Sequence, residues 1–502
     1  MNIRIIPLAL LLALGVGGTL SGQNTNCLEL NLQESPKFTS SHANPLVDFA
    51  FVADPTAVEY NGRLYVYGTY DSQQLDSVGL QGRNTYEYTH SLAMLSTDDM
   101  VNWTWHGIIN VAALSPWGIA SWAPSITSRV EADGKTHFYL YYSNSGAGVG
   151  VLTSTSPVGP WTDPLGRALI CHTTQGLGDC EAPFDPGVLI DPDGTGWLTF
   201  GGGDPNKSRG TDRRPGNTRI VRLGRDMISL DSDIIELDAP YHFEANELNY
   251  VGGTYVYTYN TNWKNRDEWE FTDVEKPTRC CMSYMTSHTP LDSASWVYRG
   301  NYFRNPADYG MDPSNNHTHL HKYCGDWYLF YHNLCLQRYK GTQGGFRSLC
   351  VNKVQVNEQA PTYRMTEATL EGVPQIKPVN PFIRQQAETT AATVGIRFLP
   401  AGDRPGNMTA SVHPSEPHAA TLVRAVYFSH APNRFEARAA GRGTIQVYVG
   451  RPQGKPVATL TFDSNDMETR STSPATIRTG CHDLCFVLTG EGLRVDEWRF
   501  LD

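Results

Sequence analysis

Short runs in which apolar and polar positions alternate recur along the chain between residues 44 and 370. Such period-two alternation is typical of half-buried β-strands, and Asn-Gly, Asp-Gly or Gly-Gly between two such runs is a strong hairpin signal. Five aromatic-rich runs each follow a glycine turn: RLYVYGTY, KTHFYLYYS, TGWLTFGG, TYVYTYN and DWYLFYH. The turns stand at Asn61-Gly62, Asp133-Gly134, Asp193-Gly194, Gly252-Gly253 and Gly325. The pattern therefore predicts five β-hairpins.

The hairpins recur about every 60 to 72 residues, which leaves room for four short strands and their loops, the size of one propeller blade. We therefore predict an all-β chain with a five-bladed β-propeller at residues 44–370; a tandem of β-sandwiches is the alternative. After a linker at 371–382, residues 383–502 alternate in short strands between Gly, Pro and Asn turns. That pattern predicts a β-sandwich of jelly-roll type.

The N-terminus, MNIRIIPLALLLALGVGGTL, has one basic residue before a short apolar run. It predicts a secretory signal peptide at 1–22 and an N-terminal lead at 23–43, hence a secreted or periplasmic protein, with lipid anchoring through Cys27 as an alternative. No later segment has 18 consecutive apolar residues, so no transmembrane segment is expected. Export permits disulfides among the ten cysteines, and the predicted pairs are Cys171/Cys180 and Cys481/Cys485.

Composition narrows the range of partners. The formal net charge is −11 and the chain has no lysine- or arginine-rich block, so nucleic acid is not an expected partner. Aromatic residues make up 11% of the chain, a share that suits both β-structure and the stacking of sugar rings.

Carboxylates recur at one position of the repeat. Counted back from the turn glycine, the eighth or ninth residue is acidic in three units and histidine in a fourth: Asp54, Asp185, Glu244 and His317. Equivalent positions on the innermost strands of a propeller face one central axis, so these four side chains are predicted to converge. A single Asp-Pro is more often a turn or cap residue, but three acids at one equivalent position are harder to explain that way.

Converging carboxyls suit glycoside hydrolysis, in which one protonates the leaving oxygen and another activates water. A third negative charge nearby would keep the acid protonated near neutral pH. Aromatic side chains near the predicted axis could wall a sugar ring, although burial between blades is the alternative for each of them: Phe51, Trp117, Trp122 and Phe243.

Several local patterns, taken in order, resemble glycoside hydrolase family 43, a five-bladed propeller family active on arabinan and xylan. They are NPLVDFAFVADP with NGRLYVYGTYD, STDDMVNWTWHG, SWAPSI, FDPGVLIDPDGTGWLTFGG, FEAN, NNHTHLHKYCGDWYLFYHN and GFRSLC. The resemblance implies a single displacement with inversion, in which Asp54 is the general base, Asp185 adjusts the pKa of the acid, and Glu244 is the general acid. It further implies that His317 and Arg347 line the pocket.

The C-terminal part resembles carbohydrate-binding module family 6 in QQAET, GRGTIQVYVG and GLRVDEWRFLD. The loop FDSNDMETRSTSPATIRTG has no Trp or Tyr, so a packing role at the active-site rim is an equal alternative to sugar binding. The resemblances imply calcium near His317 in the propeller and a second calcium held by Glu388 and Asp496. No cofactor is expected for the chemistry itself.

Taken together, the sequence predicts a monomeric exo-acting arabinofuranosidase on plant cell-wall polysaccharide, such as arabinoxylan, arabinan or xylan. A β-xylosidase or an endo-arabinanase of the same fold is the alternative, and a non-catalytic carbohydrate-binding propeller is the alternative of another class. The insertions around 73–90 and 204–217 look like pocket rims, which favours exo action. Glu247 lies only six residues before its turn, so it is predicted to pack between blades rather than to act as the acid.

Overall fold

The computed structural model describes residues 30–203, 213–264, 269–490 and 492–502. The predicted signal peptide, Cys27 and most of the insertion at 204–217 lie outside these residues. The described chain is almost entirely β-structure, with a five-bladed propeller followed by a sandwich, as predicted. Its α-helices are α1 (Pro36–Thr39), α2 (Ser72–Val78) and α3 (Val111–Leu114), and its 3-10 turns are Leu32–Glu34, Ser145–Ala147, Ser293–Ser295 and Pro306–Tyr309.

Each blade is an antiparallel sheet, and the first strands of the five blades contact one another in a closed ring. The blades are β1 (Ala53–Tyr60), β2 (Arg63–Thr69), β3 (Ser91–Thr97), β4 (Trp103–Asn110); β5 (Trp122–Val130), β6 (Thr136–Ser143), β7 (Gly148–Ser154), β8 (Ile170–Cys171); β9 (Gly187–Ile190), β10 (Gly196–Phe200), β11 (Thr218–Arg222), β12 (Ile235–Leu237); β13 (His242–Val251), β14 (Thr254–Thr261), β15 (Met282–Ser287), β16 (Val297–Phe303); and β17 (Thr318–Tyr323), β18 (Asp326–Asn333), β19 (Ser348–Lys353).

The predicted turns join the first two strands of every blade. Asn61 and Gly62 have φ of 52° and 72°, and Gly252 and Gly253 have φ of 55° and 84°. Two successive positive φ values define the tight hairpin turn whose twist matches that of the strands, which explains the Asn-Gly and Gly-Gly dipeptides.

The innermost strands share a bulge near their start. One residue in each of four blades has a left-handed φ, between 40° and 61°: Asp54, Ala123, Asp185 and Ala245. In three of these blades the ladder register also shifts around this residue. A bulge bends a strand and redirects its side chains, so the bulge is the device that turns the ends of these strands toward the axis.

A second shared position holds neighbouring blades together. Two residues after the bulge, a side-chain oxygen accepts a hydrogen bond from a backbone N–H on the innermost strand of the next blade. The bonds run from Ile126 N to Thr56 Oγ1 (3.1 Å), from Val188 N to Ser125 Oγ (2.9 Å) and from Leu320 N to Glu247 Oε1 (3.0 Å). Glu247 is therefore an inter-blade residue, as predicted.

The last blade is closed by residues from the start of the propeller. Leu46 N donates to Leu349 O at 2.8 Å. Asn44 accepts from Val351 N at 2.9 Å and donates to Val351 O at 3.0 Å, so its side-chain amide imitates a paired strand residue. The beginning and end of the propeller are thereby joined.

The sandwich is a nine-stranded sheet system with a core of Phe435, Phe486, Trp498 and Phe500 among other apolar residues. One short strand, β23, leaves it and pairs with β4, so the first blade has five strands. The remaining strands are β20 (Val356–Asn357), β21 (Thr362–Tyr363), β22 (Gln385–Gln386), β23 (Thr389–Thr390), β24 (Ala392–Val394), β25 (Ile396–Pro400), β26 (Met408–Val412), β27 (His418–Phe428), β28 (Arg434–Val449), β29 (Ala458–Thr472), β30 (Gly480–Thr489) and β31 (Arg494–Leu501).

The segment before the propeller ties the two domains together. Phe38 packs against the sandwich residues Leu422 and Tyr448. Arg424, on the sandwich, donates to four carbonyl oxygens of this segment, at distances of 2.7 to 2.9 Å. The fully buried Lys37 donates in the other direction, to carbonyl oxygens at the start of the propeller.

The prediction of two short-range disulfides is wrong. Cys171, Cys180, Cys481 and Cys485 are free thiols in the structure. Cys481 and Cys485 lie four residues apart on the single strand β30, a separation of about 13 Å, roughly twice what a disulfide spans. Cys180 instead donates to Asn217 O.

Candidate active site

Asp54 sits on the bulge of β1 and is buried at 4% exposed. Its Oδ1 accepts from Arg347 Nη1 at 2.8 Å, and its Oδ2 accepts from Thr69 Oγ1 at 2.7 Å. Burial alone would raise the pKa of Asp54, but the Arg347 guanidinium and the nearby imidazoles hold that pKa well below its usual range. Asp54 is therefore a carboxylate at any ordinary pH.

Asp185 has the equivalent left-handed backbone conformation two residues before β9, the innermost strand of the third blade. Its Oδ2 accepts from Ala245 N at 2.9 Å, and its backbone oxygen accepts from Asn246 Nδ2 at 2.8 Å, which ties it to the fourth blade. Burial, with the charges of Glu244 and Asp54 close by, raises the pKa of Asp185 well above its usual range.

Glu244 precedes the bulge residue of β13. Burial and the charge of Asp54 raise its pKa to about 7. Asn260 Nδ2 approaches Glu244 Oε1 at 3.5 Å. Glu244 and Asp185 therefore form a buried pair of carboxyls that retains a proton at neutral pH. The N–H of Ala245 bonded to Asp185 favours the charged form of Asp185, against the effect of burial on the same carboxyl.

Counting from the turns gave Glu244 the same position as Asp185, and the structure corrects this by one residue. The residues with a left-handed φ are Asp54, Asp185 and Ala245, so Glu244 stands one place earlier than Asp185 does. Its side chain still reaches the cluster, because the charge of Asp54 acts on it directly. The strand register shifts between Glu244 and Glu247. Glu244 therefore lies at the central cluster, whereas Glu247 bonds to the next blade.

His317 and Arg347 lie in the same centre, as predicted. His317 Nδ1 is 3.6 Å from Asp54 Oδ1 and 3.9 Å from Asp185 Oδ2. Burial lowers the pKa of His317 to about 4, so the ring is neutral at pH 7. Arg347 is buried at 2% exposed and is the cation of the cluster.

The predicted aromatic residues take different places. Trp122 is half-buried, donates through Nε1 to Tyr86 O at 3.2 Å and lies edge-on to the Tyr86 ring. Phe243, beside Glu244, is also half-buried. Phe51 is 3% exposed and packs on Phe346, the neighbour of Arg347. The sugar contacts of Trp122, Phe243 and Phe51 stay predictions, whereas Trp117 stacks on Tyr142 within the second blade.

Sequence reasoning missed three residues around Asp54. The backbone N–H of Asp54 donates to His332 Nδ1 at 3.2 Å, and His332 Nε2 lies 2.9 Å from Asn315 O. Asp71 binds Arg347 from the side opposite Asp54, and the Tyr86 ring lies 4.7 Å from the guanidinium carbon. Asp71 is the last residue of the family-like run NGRLYVYGTYD. Its position in that run gives no indication that it pairs with Arg347.

The metal expectations involve His317, Glu388 and Asp496. Among the described residues, no group of three or more His, Cys, Asp or Glu side chains could hold a metal ion. Glu388 Oε1 accepts from Met408 N at 3.1 Å, while Glu388 Oε2 is buried without a hydrogen-bond partner. Asp496 is ion-paired with Arg438. The metal roles of His317, Glu388 and Asp496 stay predictions.

Comparison with known proteins shows which family the chain resembles. The family described as Glycosyl hydrolases family 43 matches residues 42–361. An arabinoxylan arabinofuranohydrolase of Bacillus subtilis is 34% identical over 91% of this chain and 92% of its own length. One of Paenibacillus polymyxa is 32% identical over 91% of this chain and 74% of its own.

The crystal structure of a Bacillus subtilis arabinoxylan arabinofuranohydrolase in complex with cellotetraose superposes with a TM-score of 0.84 at 34% identity. The match covers 92% of this chain and 98% of the other, so it includes both the propeller and the sandwich. In the described part of the chain, no helix is long and apolar enough to cross a membrane. On the extent of these matches, the chain belongs to glycosyl hydrolase family 43.

Proposed function

We propose that this protein is an inverting glycoside hydrolase that removes arabinofuranosyl groups from arabinoxylan. The observation that carries the proposal is the opposite protonation of two carboxyls in one buried cluster. Arg347 keeps Asp54 ionised, while burial and the charge of Asp54 keep Glu244 protonated up to about pH 7. An ionised carboxylate opposite a protonated one is what a single displacement requires.

In this reaction Asp54 takes a proton from a water molecule, and the resulting hydroxide attacks the anomeric carbon. Glu244 gives its proton to the departing glycosidic oxygen, so the bond to the leaving group breaks as the bond to water forms. Asp185 raises the proton affinity of Glu244 and hydrogen-bonds to the strand that carries it. Arg347 and His317 lie beside Asp54 and line the place of the reacting sugar.

The proposed substrate is supported by the names of the relatives and by the segment at residues 72–90, which borders the site. Both relatives named above carry the name arabinoxylan arabinofuranohydrolase. Residues 72–90 fold as α2 and a following loop that is bonded to the centre through Asn84 and Tyr86. A wall on this side supports a pocket that admits a terminal sugar, in preference to the open groove of an endo-arabinanase. A β-xylosidase is the second candidate.

We further propose that the protein is exported and acts as a monomer, and that calcium binds between Glu388 and Asp496. The orphaned Oε2 of Glu388 beside a second buried carboxylate is a donor pair that a hard cation prefers. Such an ion would neutralise these charges and join the sandwich to β4, where Glu388 O accepts from Trp105 N.

The decisive variant is Glu244→Gln, assayed by the release of arabinose from arabinoxylan, whose leaving sugar oxygen must be protonated. Loss of the acid should lower kcat by about 10²- to 10⁴-fold, while binding of arabinoxylan is retained. The matched control is Glu247→Gln, three residues further along the same strand and bonded to the next blade. A native rate in Glu244→Gln would refute the assignment of the acid. Binding without turnover in the native protein would favour the non-catalytic propeller.

Stereochemistry and substrate are tested separately. NMR of fresh product should show the anomer opposite to that of the substrate, and retention would overturn the single displacement. Side-by-side digestion of arabinoxylan, debranched arabinan and xylo-oligosaccharides should release free arabinose from arabinoxylan. Xylose as the main product would favour the β-xylosidase, and short arabinan fragments would favour the endo-arabinanase.

A further inference from the structure

Asp71 is a fully buried carboxylate outside the predicted triad. It follows β2 directly, and its two oxygens accept four hydrogen bonds. Oδ1 accepts from Arg347 Nη2 at 2.8 Å, and Oδ2 accepts from Arg347 Nε (2.8 Å), Arg347 N (3.2 Å) and Asn84 Nδ2 (2.7 Å). The carboxylate of Asp71 thus binds the Nε and Nη2 groups of the guanidinium in a bidentate pair.

The bidentate bond to Asp71 leaves the Nη1 group of Arg347 for a contact with another residue. With Nε and Nη2 held by Asp71, Nη1 points at Asp54 Oδ1, 2.8 Å away. A bidentate carboxylate–guanidinium pair fixes both the position and the plane of the arginine. Asp71 also balances a charge that would otherwise act undiminished on Asp54 and Glu244.

The same carboxylate holds the rim. Asn84, bonded to Asp71, also donates to Gly345 O at 3.3 Å. Two residues later, Tyr86 lies over the guanidinium and is held in a left-handed conformation, with φ of 62°. A position so strained for tyrosine persists because Asn84 and Trp122 both bond to its backbone.

We propose that Asp71 is a positioning residue that aims Arg347 at Asp54 and anchors the Tyr86 wall of the sugar pocket. The inference rests on the proposed function, since it concerns how the general base and the pocket wall are set. It makes one buried carboxylate responsible for two properties, the rate of the chemical step and the fit of the terminal sugar.

The test is Asp71→Asn, measured as kcat and KM for arabinose release from arabinoxylan oligosaccharides across pH. The positive charge of Arg347 already lowers the pKa of Glu244. Without the negative charge of Asp71, this effect of Arg347 on Glu244 should become stronger. We expect kcat to fall at least about tenfold and the alkaline limb of kcat/KM to move by about half a pH unit toward acid. The control is Glu436→Gln, which removes the half-buried partner of Arg499 in the sandwich.

Asp71→Glu distinguishes the effect of the charge of Asp71 from the effect of its position. It also provides the test if Asp71→Asn does not fold. It keeps the charge but moves the fork by one methylene, so kcat should fall while the alkaline limb stays at its native pH. Native kcat in the glutamate variant, or native kcat with an unmoved limb in the asparagine variant, overturns the inference. These results would leave the proposed function intact if Glu244→Gln is inactive, whereas an active Glu244→Gln refutes the proposed function itself.

Discussion

At the residue scale, the candidate site depends on what surrounds each carboxyl. Asp54 touches a guanidinium and a threonine hydroxyl, whereas Glu244 has the amides of Asn260, at 3.5 Å, and Asn315, together with the negative charge of Asp54. Their proton affinities therefore move in opposite directions although both are buried. The proposed acid and the proposed base therefore differ in their partners and not in how deeply they are buried.

The pH dependence of hydrolysis follows from these partners. Because Glu244 must be protonated and its pKa is about 7, we expect kcat/KM to fall as pH rises through about 7. Activity should persist far into the acid range, because Asp54 stays ionised. Asp185→Asn removes a neighbouring negative charge, so it should move the alkaline limb toward acid. A pH–rate profile of both proteins checks this, and an alkaline limb that stays in place would contradict it.

At the element scale, the innermost strand is the unit that places function and holds the ring together. The bulge residue or the one before it faces the axis, and two residues after the bulge a side chain bonds to the next blade. Thr56 and Ser125 do this with hydroxyls, and Glu247 does it with a carboxylate that also lies 2.8 Å from His319 Nδ1. One strand thus carries the proposed acid, Glu244, and bonds to the next blade through Glu247.

Glu247→Ala should destabilise the propeller without removing its chemistry. It leaves the backbone N–H of Leu320 without its partner, at a cost of about 1 to 3 kcal/mol in the free energy of unfolding. Denaturant unfolding measures this loss, and kcat of the folded enzyme should stay within about twofold. Glu59→Ala, an exposed residue at the far end of β1, is the control and should cost less than about 0.5 kcal/mol. Equal losses would contradict the bonding role.

Hairpins were predictable because their signals are local. Asn61-Gly62 and Gly252-Gly253 specify both the turn and the strands beside it, and five repeats specify the propeller. A bulge has no such local signal, so Glu244 was misplaced by one residue. Asp71 and Arg347 lie 276 residues apart in the chain, and only closure of the ring brings the two together. The disulfide prediction failed for the same reason, because spacing along the chain does not determine distance in the fold.

At the scale of the whole molecule, Glu388 lies where the sandwich meets the first blade. Folding raises its pKa to about 8 because burial disfavours its charge. The stability it contributes is therefore fully present below its unfolded pKa of about 4.5 and is lost as pH rises through 8, with a slope approaching about 1.4 kcal/mol per pH unit.

Glu388→Gln should remove that pH dependence. Thermal melts between pH 5 and 9 in the presence of a chelator should show the native protein losing stability with rising pH and the variant losing less. If calcium occupies this site, adding it at pH 8 should raise the melting temperature of the native protein and leave that of the variant unchanged. A native protein whose melting temperature is indifferent to calcium would refute the calcium proposal.

The pairing of β23 with β4 has a further consequence. Thr389 and Thr390 align with Thr104 and Trp103, so the first residues of the outer strand of the first blade pair with a piece of the other domain. Outer strands left open pair readily with strands of other molecules. A propeller produced without the sandwich would therefore expose this end of β4 as an unpaired strand edge. We expect such a protein to self-associate before it loses catalytic activity. In this chain the sandwich covers that end of the strand.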